Sequence, residues 1–153
     1  MALKRIVSGG QSGVDQIGLR AAKLACLETG GTAPNGFKTE NGSCPRLATE
    51  YGLVEHWSSS YNPRTECNVI DSDATVLFGD TNSVGSKLTI KFIKTHRKPY
   101  LENPTIEELV SFIDSGNIEI LNIAGNRASK ISKELRLKIG MILLTSFRRL
   151  KSK

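Results

Sequence analysis

Short β-type runs and helical patterns alternate along this chain of 153 residues, and that alternation limits the possible folds more than any other feature. A strand that returns to its sheet through a helix runs parallel to its predecessor, and such helices cover both sheet faces. The expected architecture is α/β: one Rossmann-like three-layer domain over residues 1–153, with a mostly parallel sheet of about five main strands flanked by helices.

The strand candidates are residues 4–8, 53–56, Ala74–Phe78, 98–102 and 118–125. ATVLF, at Ala74–Phe78, is an unbroken apolar and β-branched run, which marks a central strand buried on both faces. Helical spacing is expected over 14–28, where Val14, Ile17, Ala21, Leu24 and Ala25 share a face and Gly30 and Gly31 close the end. Asn62 is a candidate cap for a helix with Pro63 at its first position. Leu88, Phe92 and Ile93 point a helix over 86–96 at the core, and Thr105 with Glu108 reads as a capping box for the next.

The last helix, expected from about Ala128, repeats Ile131, Leu135, Ile139, Ile142, Leu143, Phe147 and Leu150. Leu137, Met141 and Leu144 add apolar surface on another side, so a second subunit is expected to cover it. Residues 32–46 are rich in Pro, Gly, Asn and Ser and read as an irregular loop, either functional or a plain surface connection.

Lys and Arg outnumber Asp and Glu 21 to 15, but the excess is local. Residues 127–153, the basic C-terminal helix, hold nine cations and one acid, Glu134; the preceding 126 residues are net negative by two. Such a helix is either a solvated face or a surface for acidic partners, nucleic acid included. Cys26, Cys44 and Cys67 match no zinc or redox spacing, so no metal site is expected, and free thiols suit a reducing cytoplasm. No run approaches the roughly 20 apolar residues of a membrane helix, and no leader pattern opens the chain.

Three strand ends carry chemistry. The first, SGGQSGVD at residues 8–15, places Gly9, Gly10 and Gly13 in a strand-to-helix turn, a context that aims backbone amides at an anion. Its spacing is neither GxGxxG nor the Lys-bearing P-loop, so ordinary dinucleotide binding and phosphoryl transfer are disfavoured. Asp15 there complements the helix dipole, accepts from a ribose or base, or acts as a general base. The second, GDTNSVGS at 79–86, offers Ser83, Gly85 and Ser86, with Thr89 one turn on. The third, NIAGNRAS at 122–129, offers Asn122, Gly125, Asn126, Arg127 and Ser129. Arg64 and Glu66 are two apart and do not share a helix face, so one of them meets a ligand while the other anchors structure.

SGGQSGVD, GGTAPNG, RTECNVIDSDATVLF, GSKLT and LNIAGNRAS, in that order, resemble the family called "putative molybdenum carrier" proteins. It is a circularly permuted YpsA-like branch of the SLOG superfamily, related to lysine-decarboxylase-like phosphoribohydrolases and to a DNA-processing family. The resemblance runs from residue 5 to about 130 and implies a homo-oligomer, dimer or tetramer, with an anionic or nucleotide-type ligand over the glycine loops. It also implies a site of Gly9, Gly10, Gln11, Ser12, Gly13 and Asp15, joined by Arg64, Thr65, Glu66 and Asn68. Gly85, Ser86, Thr89, Asn122, Gly125 and Arg127 complete it. Two departures stand out: Val84 hinders the second glycine loop, and Asn126 and Ala128 replace a Pro and a Glu of the family's last motif.

The expected function is binding of a phosphorylated nucleotide-type or pterin ligand: a nucleotide, a nucleotide-derived signal or molybdenum cofactor. One alternative is an enzyme cleaving a nucleotide's N-glycosidic bond, with Asp15 and Glu66 as its catalytic carboxylates. The other, single-stranded nucleic-acid binding through the basic helix, ranks last because Phe147 is the sole aromatic residue among the last 27.

Overall fold

A computed structural model describes residues 3–152. In chain order it runs β1 (Arg5–Val7), α1 (Val14–Leu24), β2 (Glu28–Gly30), β3 (Thr32–Ala33), β4 (Lys38–Thr39), β5 (Gly42–Ser43), α2 (Arg46–Tyr51) and β6 (Val54–Glu55). There follow α3 (Tyr61–Ile70), β7 (Ala74–Phe78), α4 (Val84–Thr95), β8 (Tyr100–Glu102), α5 (Ile106–Ser115), β9 (Ile120–Gly125) and α6 (Lys133–Lys151). Five strands form one sheet in the order β2-β1-β9-β7-β8, and every pairing in it is parallel.

The last strand in the chain lies at the centre of that sheet. Numbered by chain order, the five main strands stand as 2-1-5-3-4. Moving the last to the front turns this into 3-2-1-4-5, the doubly wound order in which ligands collect outside the carboxyl ends where strand order reverses. In this chain that reversal lies between β9 and β7, with β1 alongside.

Alternation along β7 and β9 sorts the layers. Ala74, Val76 and Phe78 of β7 and Leu121 and Ile123 of β9 belong to the larger core, with Ile139, Leu143 and Phe147 of α6 and Leu109 and Ile113 of α5. Leu77 faces the other way, packing with Val69 of α3 and Ile93 of α4. All of β7 is buried, as its composition predicts, and each large side chain so buried contributes about 1.5–3 kcal/mol. The Thr105–Glu108 capping box forms on α5 with both reciprocal hydrogen bonds.

Several element boundaries differ from expectation. The first helix stops at Leu24, four residues early: Ala25 caps it, Cys26 turns through φ 60°, and Glu28–Gly30 becomes the sheet's edge strand. Gly31 is thus no helix cap; a Cβ on it would lie 2.1 Å from the Ser8 carbonyl oxygen. Ser60, rather than Asn62, caps α3 by accepting from the Asn62 amide. The final helix begins at Lys133 behind Ser132, after a 3₁₀ turn at Ala128–Lys130.

The stretch expected to be a loop is folded. It holds β3, a 3₁₀ turn at Asn35–Phe37, the antiparallel β4–β5 hairpin and the start of α2. Its small core is Leu19, Ala33, Leu47 and Leu53, with Phe37 and Cys44 against it. Strand β6 pairs with β3 there instead of joining the main sheet. On α6, Leu137 and Met141 are 67% and 69% exposed one turn apart, so the chain itself covers one face of that helix and leaves the other open. Among the described residues no helix is long and apolar enough to cross a membrane.

Candidate functional site

A crevice of about 610 Å³ opens at the carboxyl ends of β1, β9 and β7, the size of an ordinary small-molecule site. Gly9, Gln11 and Asp15 line it from the first loop, Tyr61, Arg64, Thr65 and Asn68 from α3. Asp80, Ser83, Val84, Gly85, Ser86 and Thr89 contribute from the second loop and the first turns of α4. Asn122, Gly125, Asn126, Arg127 and Lys130 contribute from the third.

Four amides of the first glycine loop, where the sequence pointed to free ones, are taken by the protein's own acceptors. The Gly10 amide donates to Ser8 Oγ (3.3 Å), Gln11 to Asp15 Oδ2 (3.2 Å) and Ser12 to Gln11 Oε1 (2.9 Å). The Val14 amide donates to the Asn126 carbonyl. The glycines admit the protein's own atoms. A Cβ on Gly9 would meet Arg64 Nη1 at 1.6 Å, one on Gly10 would meet Leu47, and one on Gly13 would strike the backbone of residues 126–128. Gly10, Ser12 and Gly13 accordingly do not line the crevice.

Arg64 takes the place expected for a phosphate. Its Nη1 is 3.2 Å from Asp15 Oδ2, and the two side chains are 13% and 4% exposed. Burial pushes the Asp15 carboxyl up from its ordinary value, while Arg64 and the Gln11 amide pull it back. Asp15 is therefore first a partner that holds the guanidinium in place. Arg64 Nε is buried with no acceptor among the described residues, and the guanidinium also lies 5.4 Å from the Tyr61 ring centre.

The second loop does present amides. Ser83 caps α4 and accepts from the Ser86 amide, so the first two helical amides, Val84 and Gly85, are left without intrahelical partners. A Cβ on Gly85 would meet nothing within 4 Å, which leaves its backbone open to close approach. The dipole of α4 adds to the attraction for an anion at this point. Thr89 returns its hydroxyl to the Gly85 carbonyl, a helix-packing role.

Asn126 staples the second and third loops together. Its Oδ1 accepts from the Asp80 amide (2.5 Å), and its Nδ2 donates to Ser83 Oγ (3.1 Å) and the Asp80 carbonyl (3.3 Å). A proline, which the resemblance led us to expect at this position, could make none of these bonds. Asn122 donates to Thr75 Oγ1 within the sheet (3.2 Å). Asn68 spends both ends of its amide on the Thr32 backbone, tying α3 to β3.

Glu66 is not at the site. It points away from the crevice to His96, 2.8 Å from Nε2, on the α3–α4 surface, which removes one of the two carboxylates named for catalysis. Sequence reasoning passed over Tyr61, Asp80 and Lys130, which line the crevice, and Glu40 beside it. Asp80 and Lys130 were findable from their loops; nothing local in the 32–46 stretch marks Glu40.

Residues 6–140 match the circularly permutated YpsA SLOG family. Among solved structures the chain is similar to the "putative molybdenum carrier protein" of Syntrophus aciditrophicus, with a TM-score of 0.81 and 35% identity over 95% of each chain. No curated protein matches. Circular permutation in the family's description agrees with the sheet, where the final strand occupies the place of a first one. The chain belongs to the circularly permutated YpsA SLOG family.

Proposed function

We propose that this protein binds, without turning it over, a small molecule that joins a phosphoryl-type group to a heterocycle, as nucleotides and phosphorylated pterins do. The observation that carries the reading is the meeting, in one crevice, of open amides at the start of α4 with Arg64, whose buried Nε lacks an acceptor. An unsatisfied buried donor costs about 1–3 kcal/mol, which an oxyanion would recover. Arg127 and Lys130 add positive charge at the rim, and Asn122 and Gln11 offer amides to a heterocycle.

The Syntrophus protein's name suggests a molybdenum-bearing cargo. Among the described residues no His or Cys lines the crevice, so such a cargo would be recognised through its pterin and phosphate and not through thiolate or imidazole bonds to the metal. Hydrolysis fits less well, because Glu66 lies elsewhere and Asp15 is buried against Arg64.

Calorimetry with nucleoside mono- and diphosphates and with a phosphorylated pterin tests the reading, and chromatography of the same mixtures looks for released base. Binding with the ligand recovered intact supports it. Absence of binding across the panel, or release of free base, overturns it.

A further inference from the structure

Beside the crevice lies a second set of converging donors, already filled by the chain's own carboxylate. Glu40, at the tip of the β4–β5 hairpin, accepts from the hydroxyl of Ser12 in the first loop. It also accepts from the Ser129 amide (3.1 Å) and hydroxyl (2.5 Å) in the third, and its Oε1 is 3.7 Å from Arg127 Nε. The donors come from two loops far apart in sequence and converge on one pair of oxygens.

We propose that Ser12, Arg127 and Ser129 form an oxyanion subsite contiguous with the crevice, which Glu40 occupies in cis and a phosphoryl group can take over. A carboxylate and a phosphoryl group ask the same of a site: N–H and O–H donors around a delocalised negative charge, with a guanidinium to balance it. The donor set holds the Glu40 carboxyl down at about 2, so the occupant is an anion at any ordinary pH. Arg127 and Gln11 face both places: each lines the crevice, and Gln11 Oε1 accepts from the Glu40 amide at 2.8 Å.

The base and the tip of the hairpin are held by different contacts. Its base is held by Phe37 and Cys44 on the small core and by the Cys44 amide to the Phe37 carbonyl. Around Gly36 and Gly42, a Cβ would meet nothing within 4 Å. Lifting Glu40 therefore breaks the tip contacts and leaves the packed base in place. A ligand with two anionic groups would set one at the start of α4 and exchange the other with Glu40.

The subsite goes beyond the crevice reading, and its test needs no nucleotide. Inorganic phosphate is titrated by calorimetry into the wild-type chain, Glu40→Ala, Glu40→Gln and the double variant Glu40→Ala with Arg127→Ala. The expected result is one phosphate per chain bound about tenfold more tightly by Glu40→Ala than by wild type, the gain lost in the double variant. Saturable thermal stabilisation of Glu40→Ala by acetate, with chloride inert at equal ionic strength, is expected as well. If Glu40→Ala does not fold, Glu40→Gln carries the comparison, with a smaller gain expected. No gain in either variant, or a gain that survives loss of Arg127, overturns the proposal. Gly85→Ala, which alters only the α4 start, reports on the crevice separately.

Discussion

The guanidinium of Arg64 lies over the α-carbon of Gly9, so close that a Cβ there would sit 1.6 Å from Nη1. The first glycine of the opening motif thus makes room for a cation of the protein, and the cation in turn serves the crevice. Gly9 is outside the positive-φ region, so its backbone would accept alanine, and the three atoms nearest to an added Cβ all belong to Arg64, which would have to move.

Gly9→Ala is expected to push Arg64 off Asp15 and leave a buried carboxylate unpaired, at a cost of about 3 kcal/mol near neutral pH. Without Arg64 the folded-state pKa of Asp15 rises further, and a raised pKa gives stability that is present at low pH and lost as pH climbs through it. Urea unfolding at pH 5 and pH 7.5 checks this. The gap from wild type should narrow at the lower pH.

Gly85→Ala separates fold from binding. The position is helical, and the added methyl meets nothing, so alanine should raise stability by about 0.5–1 kcal/mol. The same methyl stands beside the open amides of Val84 and Gly85, where an oxyanion must approach closely. A higher melting temperature together with weaker ligand binding is the expected pair of results in a thermal melt and a titration.

The alternation of elements made the parallel sheet legible, and the unbroken ATVLF run marked a strand that is fully buried. Hidden from sequence were features that depend on distant partners. Glu28–Gly30 becomes a strand only because Arg5–Val7 lies beside it, and its three residues follow directly on a helical pattern. The glycine motif correctly marked a place where atoms come very close, but spacing cannot say whether the visitor is a ligand or Arg64, 55 residues later in the chain. Glu40 meets Ser129 across 89 positions, and no local pattern records such a meeting.

Asn126 and Gly79 should be energetically coupled. Gly79 sits at φ 97°, and a Cβ on it would lie 2.1 Å from Asn126 Oδ1. Asn126→Ala leaves the Asp80 amide without its acceptor and is expected to cost about 1–3 kcal/mol. Gly79→Ala costs more in wild type than in the Asn126→Ala background, where the clash is gone and the backbone strain remains. A double-mutant cycle by chemical unfolding measures the difference, expected at about 1 kcal/mol or more.

The sequence led us to expect a second subunit over the far side of α6, where Leu137 and Met141, both large and apolar, are exposed one helical turn apart. Replacing both with glutamate should change the stability of the folded chain by no more than about 0.5 kcal/mol, because neither is buried in it. If two copies meet there, sedimentation should show the wild type heavier than the variant at equal concentration. Equal masses would remove α6 as the contact.

Glu40 gives the chain an acid-sensitive clasp between the hairpin and two of the site loops. Hydrogen bonds from the Ser12 and Ser129 hydroxyls, with Arg127 nearby, lower its carboxyl from 4.5 to about 2 in the folded state. A depressed pKa contributes stability that is complete above the unfolded value and lost as pH falls through the folded one, so the window runs from about pH 4.5 down to about pH 2. Wild type should lose melting temperature steeply across that window, whereas Glu40→Gln, which has no charge to neutralise, should start lower near neutral pH and fall less. Parallel acid limbs for the two proteins would mean that the carboxylate's charge is not what holds the hairpin tip to Ser12 and Ser129.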